Sequence, residues 1–384
     1  MSDSREDLDG RVGEGYGGPA GPNGSHVNVV LARRGTPTAG ALRSVLESIA
    51  EPILKSISGT PDGSAVRARP GRPTYVDYGA LMTPPAPFRS LNTTLWGFWA
   101  SADSHRVGAL CDKVFNQPTG GAVQCKPLSE YVMLSWGSIA RVVPETAPYD
   151  RFGGVEEPQV AIWVPVALRD RLGVDWRFAM FIPYMWLENP MSLATGRELF
   201  GYPKSGGWPQ FPPDDGPQEW KLDVFGLDYE PDALAARHPL LEVLQRDGPV
   251  EAAKADLSSL ADIARHAADQ LFDDPGVVGD IEVGASMVVD LFEDRLPNVF
   301  LKQFRDVRDG LGAALQQVVE ADYKIGRLEA SPLLREHDLT VHHLDSHPVI
   351  DELGLKDQRL GPAYRVEMDF DVGDGRVLWD ASGP

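Results

Sequence analysis

Residues 188–209 read Glu-Asn-Pro-Met-Ser-Leu-Ala-Thr-Gly-Arg-Glu-Leu-Phe-Gly-Tyr-Pro-Lys-Ser-Gly-Gly-Trp-Pro, and one lysine, Lys204, lies between Gly-Tyr-Pro and Ser-Gly-Gly. Pro203 fixes its own φ just ahead of that lysine. Gly206 and Gly207 let other backbone approach closely, and Tyr202 and Trp208 offer apolar walls. A lysine held against aromatic walls loses hydration, which disfavours its charged form. A neutral amine can attack a ketone and form an imine. By composition alone the same residues also describe a surface turn with a solvated lysine, so the surrounding chain must decide.

On both sides of this stretch the chain reads as short apolar strands. They are expected at Leu91–Ala100, Tyr131–Ile139, Gln159–Val166, Arg177–Leu187, Val299–Phe304, Gln317–Arg327, Leu339–Leu344 and Tyr364–Val372. Ser101 or Asp103 is placed to cap a helix carrying Val107, Leu110, Cys111 and Val114. Regular alternation of strand and helix is absent from the pattern, which predicts an α+β fold with a mainly antiparallel sheet. Further out, residues 1–37 form a Gly/Pro-rich acidic tail expected to be disordered. Residues 38–73 read as an amphipathic helix and linker. A domain is expected over 74–384, interrupted at about 230–296 by a helical insertion whose clearest periodicity is Leu257, Leu260, Ile263, Ala267 and Leu271.

The chain of 384 residues carries 36 Lys and Arg against 56 Asp and Glu, a formal charge of −20. That balance argues against nucleic-acid backbones and anionic membranes as partners. The two cysteines, Cys111 and Cys125, make neither a disulfide framework nor a zinc site. The acidic, polar start is wrong for a signal peptide, and the longest apolar run, Phe178–Leu187, is too short to span a bilayer. A cytoplasmic location is the expectation. Gly13, Gly15 and Gly18 match a dinucleotide-binding pattern but lack the preceding strand and following helix. His342, Asp345 and His347 suggest a metal set, yet their spacing and the opposite faces of His342 and His343 argue against it, so no metal is expected.

Around Lys204 the sequence resembles the acetoacetate decarboxylase family. The resemblance rests on Gly196-Arg197-Glu198, Tyr202-Pro203-Lys204 and Gly207-Trp208-Pro209, and extends more weakly over about 88–225 and 296–380. It implies a closed, mostly antiparallel β-barrel with peripheral helices, Lys204 as the Schiff-base residue facing a cavity, and a homo-oligomer. Acetoacetate decarboxylase is the standard case of a Schiff-base lysine activated by a neighbouring cation. Here the residue after the nucleophile is Ser205, where the family has a second lysine, so burial alone would have to activate the amine. The resemblance also implies an arginine near the first strand and two glutamates around the substrate. Arg89 matches the arginine at a longer spacing. Gln159 falls where one glutamate is expected, with Glu156 and Glu157 just before it, and Ser135 falls near the other.

The expected activity is imine chemistry on a small oxo acid, with decarboxylation or aldol and dehydration sharing one first step and no cofactor needed. Lys204 is the expected nucleophile, Glu157 the first carboxylate to test as acid or base, and Gln159 a carbonyl- or hydroxyl-orienting group. Arg89, Tyr202 and Ser205 are expected at the substrate. The alternative is a non-catalytic ligand binder that kept the cavity.

Overall fold

The computed structural model describes residues 74–77, 83–170, 176–213, 217–247, 263 and 294–382, all within the compact unit Arg67–Pro384. The tail over 1–37, the helix and linker over 38–73, and most of the insertion lie outside the described residues.

Strand β1 (Phe88–Ser101) leads into helix α1 (Ser104–Cys111), then β2 (Val123–Pro127), β3 (Tyr131–Pro144), β4 (Val155–Asp170) and β5 (Arg177–Leu187). Helix α2 (Pro190–Leu199) separates β5 from β6 (Lys204–Gln210), β7 (Glu219–Gly226) and β8 (Ala236–Gln245). The chain ends with β9 (Arg295–Arg305), β10 (Ala313–Pro332), β11 (His337–Val341), short helix α3 (Val349–Leu353), β12 (Gln358–Arg359), β13 (Ala363–Val372) and β14 (Arg376–Asp380).

Following the hydrogen-bonded neighbours from β5 through β9, β10, β13, β1, β3 and β4 returns to β5, so these strands close a ring. Every contact in it is antiparallel except β5 with β9. The mainly antiparallel α+β fold expected from sequence is thus observed, and the ring is compatible with the expected barrel. From β5 the sheet also runs outward through β6, β7, β8, β11 and β12.

The apolar runs that signalled strands do so because both their faces are covered. In β4, Ala161, Trp163 and Ala167 join a core fed by all the ring strands. Val160, Ile162, Val164, Val166 and Leu168 join the second core, shared with β7, β8, α1 and α3. Successive side chains point to opposite faces, which carries Glu157 and Gln159 to the same side as Ala161.

The helical expectation from about residue 230 is corrected over Ala236–Gln245. This segment is strand β8, paired with β7 from Gly226↔Ala236 to Glu219↔Leu244 and with β11 from Val341↔Leu241 to His337↔Gln245. Leu240, Leu241 and Leu244 imitate helical spacing, but strand pairing on both sides wins. Asp103 provides the expected cap, its side chain accepting from the backbone N–H groups of His105 and Arg106 at 2.9 and 3.2 Å.

Candidate active site

Lys204 is the first residue of β6, aligned with Met185 of the parallel strand β5. Only 7% of it is exposed, and it lines a cavity of about 350 Å³. Its Nζ donates to Glu157 Oε1 at 2.8 Å, to the Ser192 hydroxyl at 2.8 Å and to the Ser192 carbonyl at 3.4 Å. The Ser192 hydroxyl in turn donates to the other carboxylate oxygen of Glu157. Amine, hydroxyl and carboxylate form a closed triangle, and Glu157 is 6% exposed.

Helix α2 supplies both Ser192 and the space for the lysine. Asn189 caps it, accepting from the N–H groups of Met191 and Ser192 at 3.0 and 3.3 Å, and Pro190 fills the first turn. Near its other end, Gly196 leaves the room that the lysine side chain occupies. Arg197 donates to the Lys204 carbonyl at 3.1 Å and anchors the strand start. Gly201 turns the chain with φ +82° directly against the backbone of Lys302, where a side chain has no space. Each member of the Gly-Arg-Glu segment therefore has its own job, Glu198 accepting from the Tyr75 hydroxyl at 2.6 Å.

Of the expected site residues, the structure gathers Lys204, Glu157, Gln159 and Tyr202 around one cavity. Tyr202 lies beneath the amine, with Nζ 5.3 Å from its ring centre, and donates to the Tyr323 hydroxyl at 2.8 Å. Burial holds both phenols above their ordinary range, so they stay protonated donors. The Gln159 side-chain Oε1 is buried without a partner.

Arg89 and Ser205 are not among the cavity's lining residues. Phe88 and Ser90 face the cavity while Arg89, between them, is exposed and pairs with Glu145 and, at 3.3 Å, with Asp371. Ser205 follows Lys204 in an extended strand, so its side chain leaves by the opposite face. Ser135 instead accepts from the Trp163 indole at 2.7 Å. Trp208 stacks under the Arg237 guanidinium, 4.8 Å from its ring centre, and does not wall the lysine. Glu156 is exposed. The imagined metal set is not assembled: His342 bonds to Glu242 at 2.7 Å and His347 to Ser346 at 3.1 Å. Sequence reasoning missed Ser192 and Tyr323. The Asn-Pro start of α2, a recognisable helix signal, offered a route to Ser192; Tyr323 comes from distant β10 and had none.

The model of the acetoacetate decarboxylase (ADC) family matches residues 139–227, the segment that holds Glu157, Gln159, Tyr202 and Lys204. No curated protein matches the chain significantly by sequence. Among solved structures, acetoacetate decarboxylase from Legionella pneumophila is 14% identical, covering 82% of this chain and 94% of its own, with a TM-score of 0.50. A further acetoacetate decarboxylase structure is 16% identical over 78% of this chain and 92% of its own, with a TM-score of 0.49. The enduracididine biosynthesis enzyme MppR complexed with pyruvate is 12% identical over 78% and 93%, with a TM-score of 0.46. The family model thus matches the segment around the lysine, and the likeness to the Legionella structure shows a shared fold.

Proposed function

We propose that the protein is a lyase-type enzyme that forms an imine between Lys204 and a small oxo compound. The observation that carries this reading is a buried amine at a cavity wall, 2.8 Å from both a carboxylate and a hydroxyl. The ammonium must shed a proton before its lone pair can attack a carbonyl carbon, and Glu157 is within reach to take it. The same carboxylate, directly or through Ser192, can return the proton to the carbinolamine hydroxyl, which leaves as water. The iminium then accepts an electron pair from the bond beside the former carbonyl carbon, whether that bond releases carbon dioxide, a proton or an aldehyde. Decarboxylation and aldol or dehydration chemistry share everything up to that point. The resemblance implies an oxo acid as the substrate and self-association of identical chains, and the sparse cysteines suit a cytoplasmic location. Among the described residues no helix is long and apolar enough to cross a membrane.

Pyruvate, acetoacetate and acetone, each with cyanoborohydride, are the first probes. At least one should add its reduced mass to the Lys204 peptide, and Lys204→Ala should remove the label while circular dichroism stays native. Labelling that persists in Lys204→Ala defeats the assignment. Trapping without any turnover would favour the non-catalytic binder.

A further inference from the structure

Among the described residues that line the cavity the charged side chains are Lys204 and Glu157, and they are bonded to each other at 2.8 Å. An iminium on Lys204 keeps the nitrogen's positive charge, so the pair stays balanced through the reaction if the substrate is neutral. A substrate carboxylate would be a second anion in the cavity, with no cation of its own among the described residues, and burying an unpaired charge is strongly unfavourable. Arg89, the cation that sequence placed at the substrate, is held outside by Glu145 and Asp371.

A second observation points to what the substrate does carry. Gln159 is 8% exposed, lines the cavity, and its amide oxygen is buried with no partner. A buried polar atom left unpaired is costly, and few are tolerated without a reason. Turned toward the cavity, the amide would meet a ligand hydroxyl with either of its ends, because a hydroxyl both donates and accepts. The remaining wall is mostly apolar, with Phe88, Ile139, Val142, Phe200 and Phe370 around space for far more than pyruvate.

Resting on the Lys204 imine, we propose that the cavity selects a neutral β-hydroxy ketone with an apolar body over any oxo acid, and cleaves it by retro-aldol reaction. Lys204 adds to the ketone carbon and water leaves, giving the iminium. Glu157, directly or through Ser192, takes the proton of the β-hydroxyl. The oxygen's electrons form the new aldehyde carbonyl as the bond between the α and β carbons breaks. That bond's electron pair moves toward the iminium nitrogen and leaves an enamine. Protonation at carbon and return of the water release a ketone and the free amine, so one hydroxy ketone gives one ketone and one aldehyde without any oxidant or reductant.

The matched probes are the aldol adduct of acetone with benzaldehyde and that of pyruvate with benzaldehyde, which differ only by methyl against carboxylate. The full-length protein should release benzaldehyde from the neutral adduct with a kcat/KM at least tenfold higher than from the acid. Cyanoborohydride should label Lys204 with the same preference. Equal or better use of the acid overturns the selectivity while leaving the imine intact. Labelling by the neutral adduct without benzaldehyde overturns the cleavage step. Labelling by neither overturns this proposal, and the imine reading falls with it only if pyruvate, acetoacetate and acetone also leave Lys204 unlabelled. Gln159→Leu should abolish the faster labelling by the hydroxylated adduct relative to benzylacetone, which lacks the hydroxyl. An unchanged ratio removes Gln159 from the recognition.

Discussion

A Cβ on Gly196 would lie 2.8 Å from Cδ of Lys204 and 2.9 Å from Cε, so the glycine is the mould against which the lysine's side chain is cast. Nothing about Gly196 itself requires φ above zero; the requirement is purely that no side chain be present. This separates activity from stability. Gly196→Ala adds a better helix former in the last turn of α2, worth up to about 1 kcal/mol where it fits. The added methyl must push the aminobutyl chain aside, and a displacement of about 1 Å costs roughly a hundredfold in positioned chemistry. Cyanoborohydride trapping on Lys204 should therefore slow by ten- to a hundredfold while the melting temperature falls little or rises. Wild-type trapping in a folded Gly196→Ala protein would show that the amine does not need this space. Glu157 offers the complementary case. With Gln in its place the amine loses its nearest proton acceptor, and trapping should fall by about 10² to 10⁴.

Helix α2 links these residues, because one turn sets Ser192 against Glu157 and Lys204 and the other end leaves the lysine its room. Its cap, Asn189, also donates to the Glu156 carbonyl at 3.0 Å, tying the helix to the strand that carries Glu157. Asn189→Ala should cost about 1 kcal/mol in a denaturant titration and slow trapping as well, since Ser192 loses its fixed N–H. Asn189→Asp, which can still cap, should recover most of both; a cap effect on stability with no effect on trapping would confine Asn189 to a structural role. How far such elements were legible differs strand by strand. Arg177–Leu187 matched the expected bounds because both faces are apolar and Pro183 did not interrupt the run. Strand β4 begins at Val155, four residues before the sequence suggested, since its first turns of alternation are Val, Glu, Glu and Pro. That shortfall left Glu157 supported by proximity alone, whereas its parity with Gln159 and Ala161 fixes it on the cavity face. Strands β6 and β7 were not read at all. Gly206, Gly207 and Pro209 disfavour a strand locally, and only pairing with β5 and β7 overrides them.

On the scale of the whole molecule, the closed ring and the outer strands enclose two large cores beside a smaller cluster at Leu95, Tyr364 and Val366, and the outer large core contains a histidine that ties stability to pH. His337 on β11 is 1% exposed, packed edge-on against Phe98 and Trp220 with ring centres 5.1 and 5.7 Å away, and its Nε2 has no partner. Burial lowers its pKa from 6.5 to about 4, only partly offset by the neighbouring Asp338 carboxylate. A histidine that protonates less readily when folded lets the unfolded chain bind more protons between those two values. Its contribution to stability is therefore complete above pH 6.5 and is lost as the pH falls through that window, reaching about 3 kcal/mol by pH 4. His347, also lowered by burial, acts in the same direction. The urea midpoint should accordingly drop between pH 7 and pH 4, and His337→Phe, which fills the same aromatic niche without a titrating nitrogen, should make that drop shallower by about the same amount. The ring proton resonances of His337 give a direct check in the wild type, with a midpoint near 4. A midpoint near the ordinary histidine value would mean that the ring reaches water on protonation, and that the outer core opens locally in mild acid rather than resisting the charge.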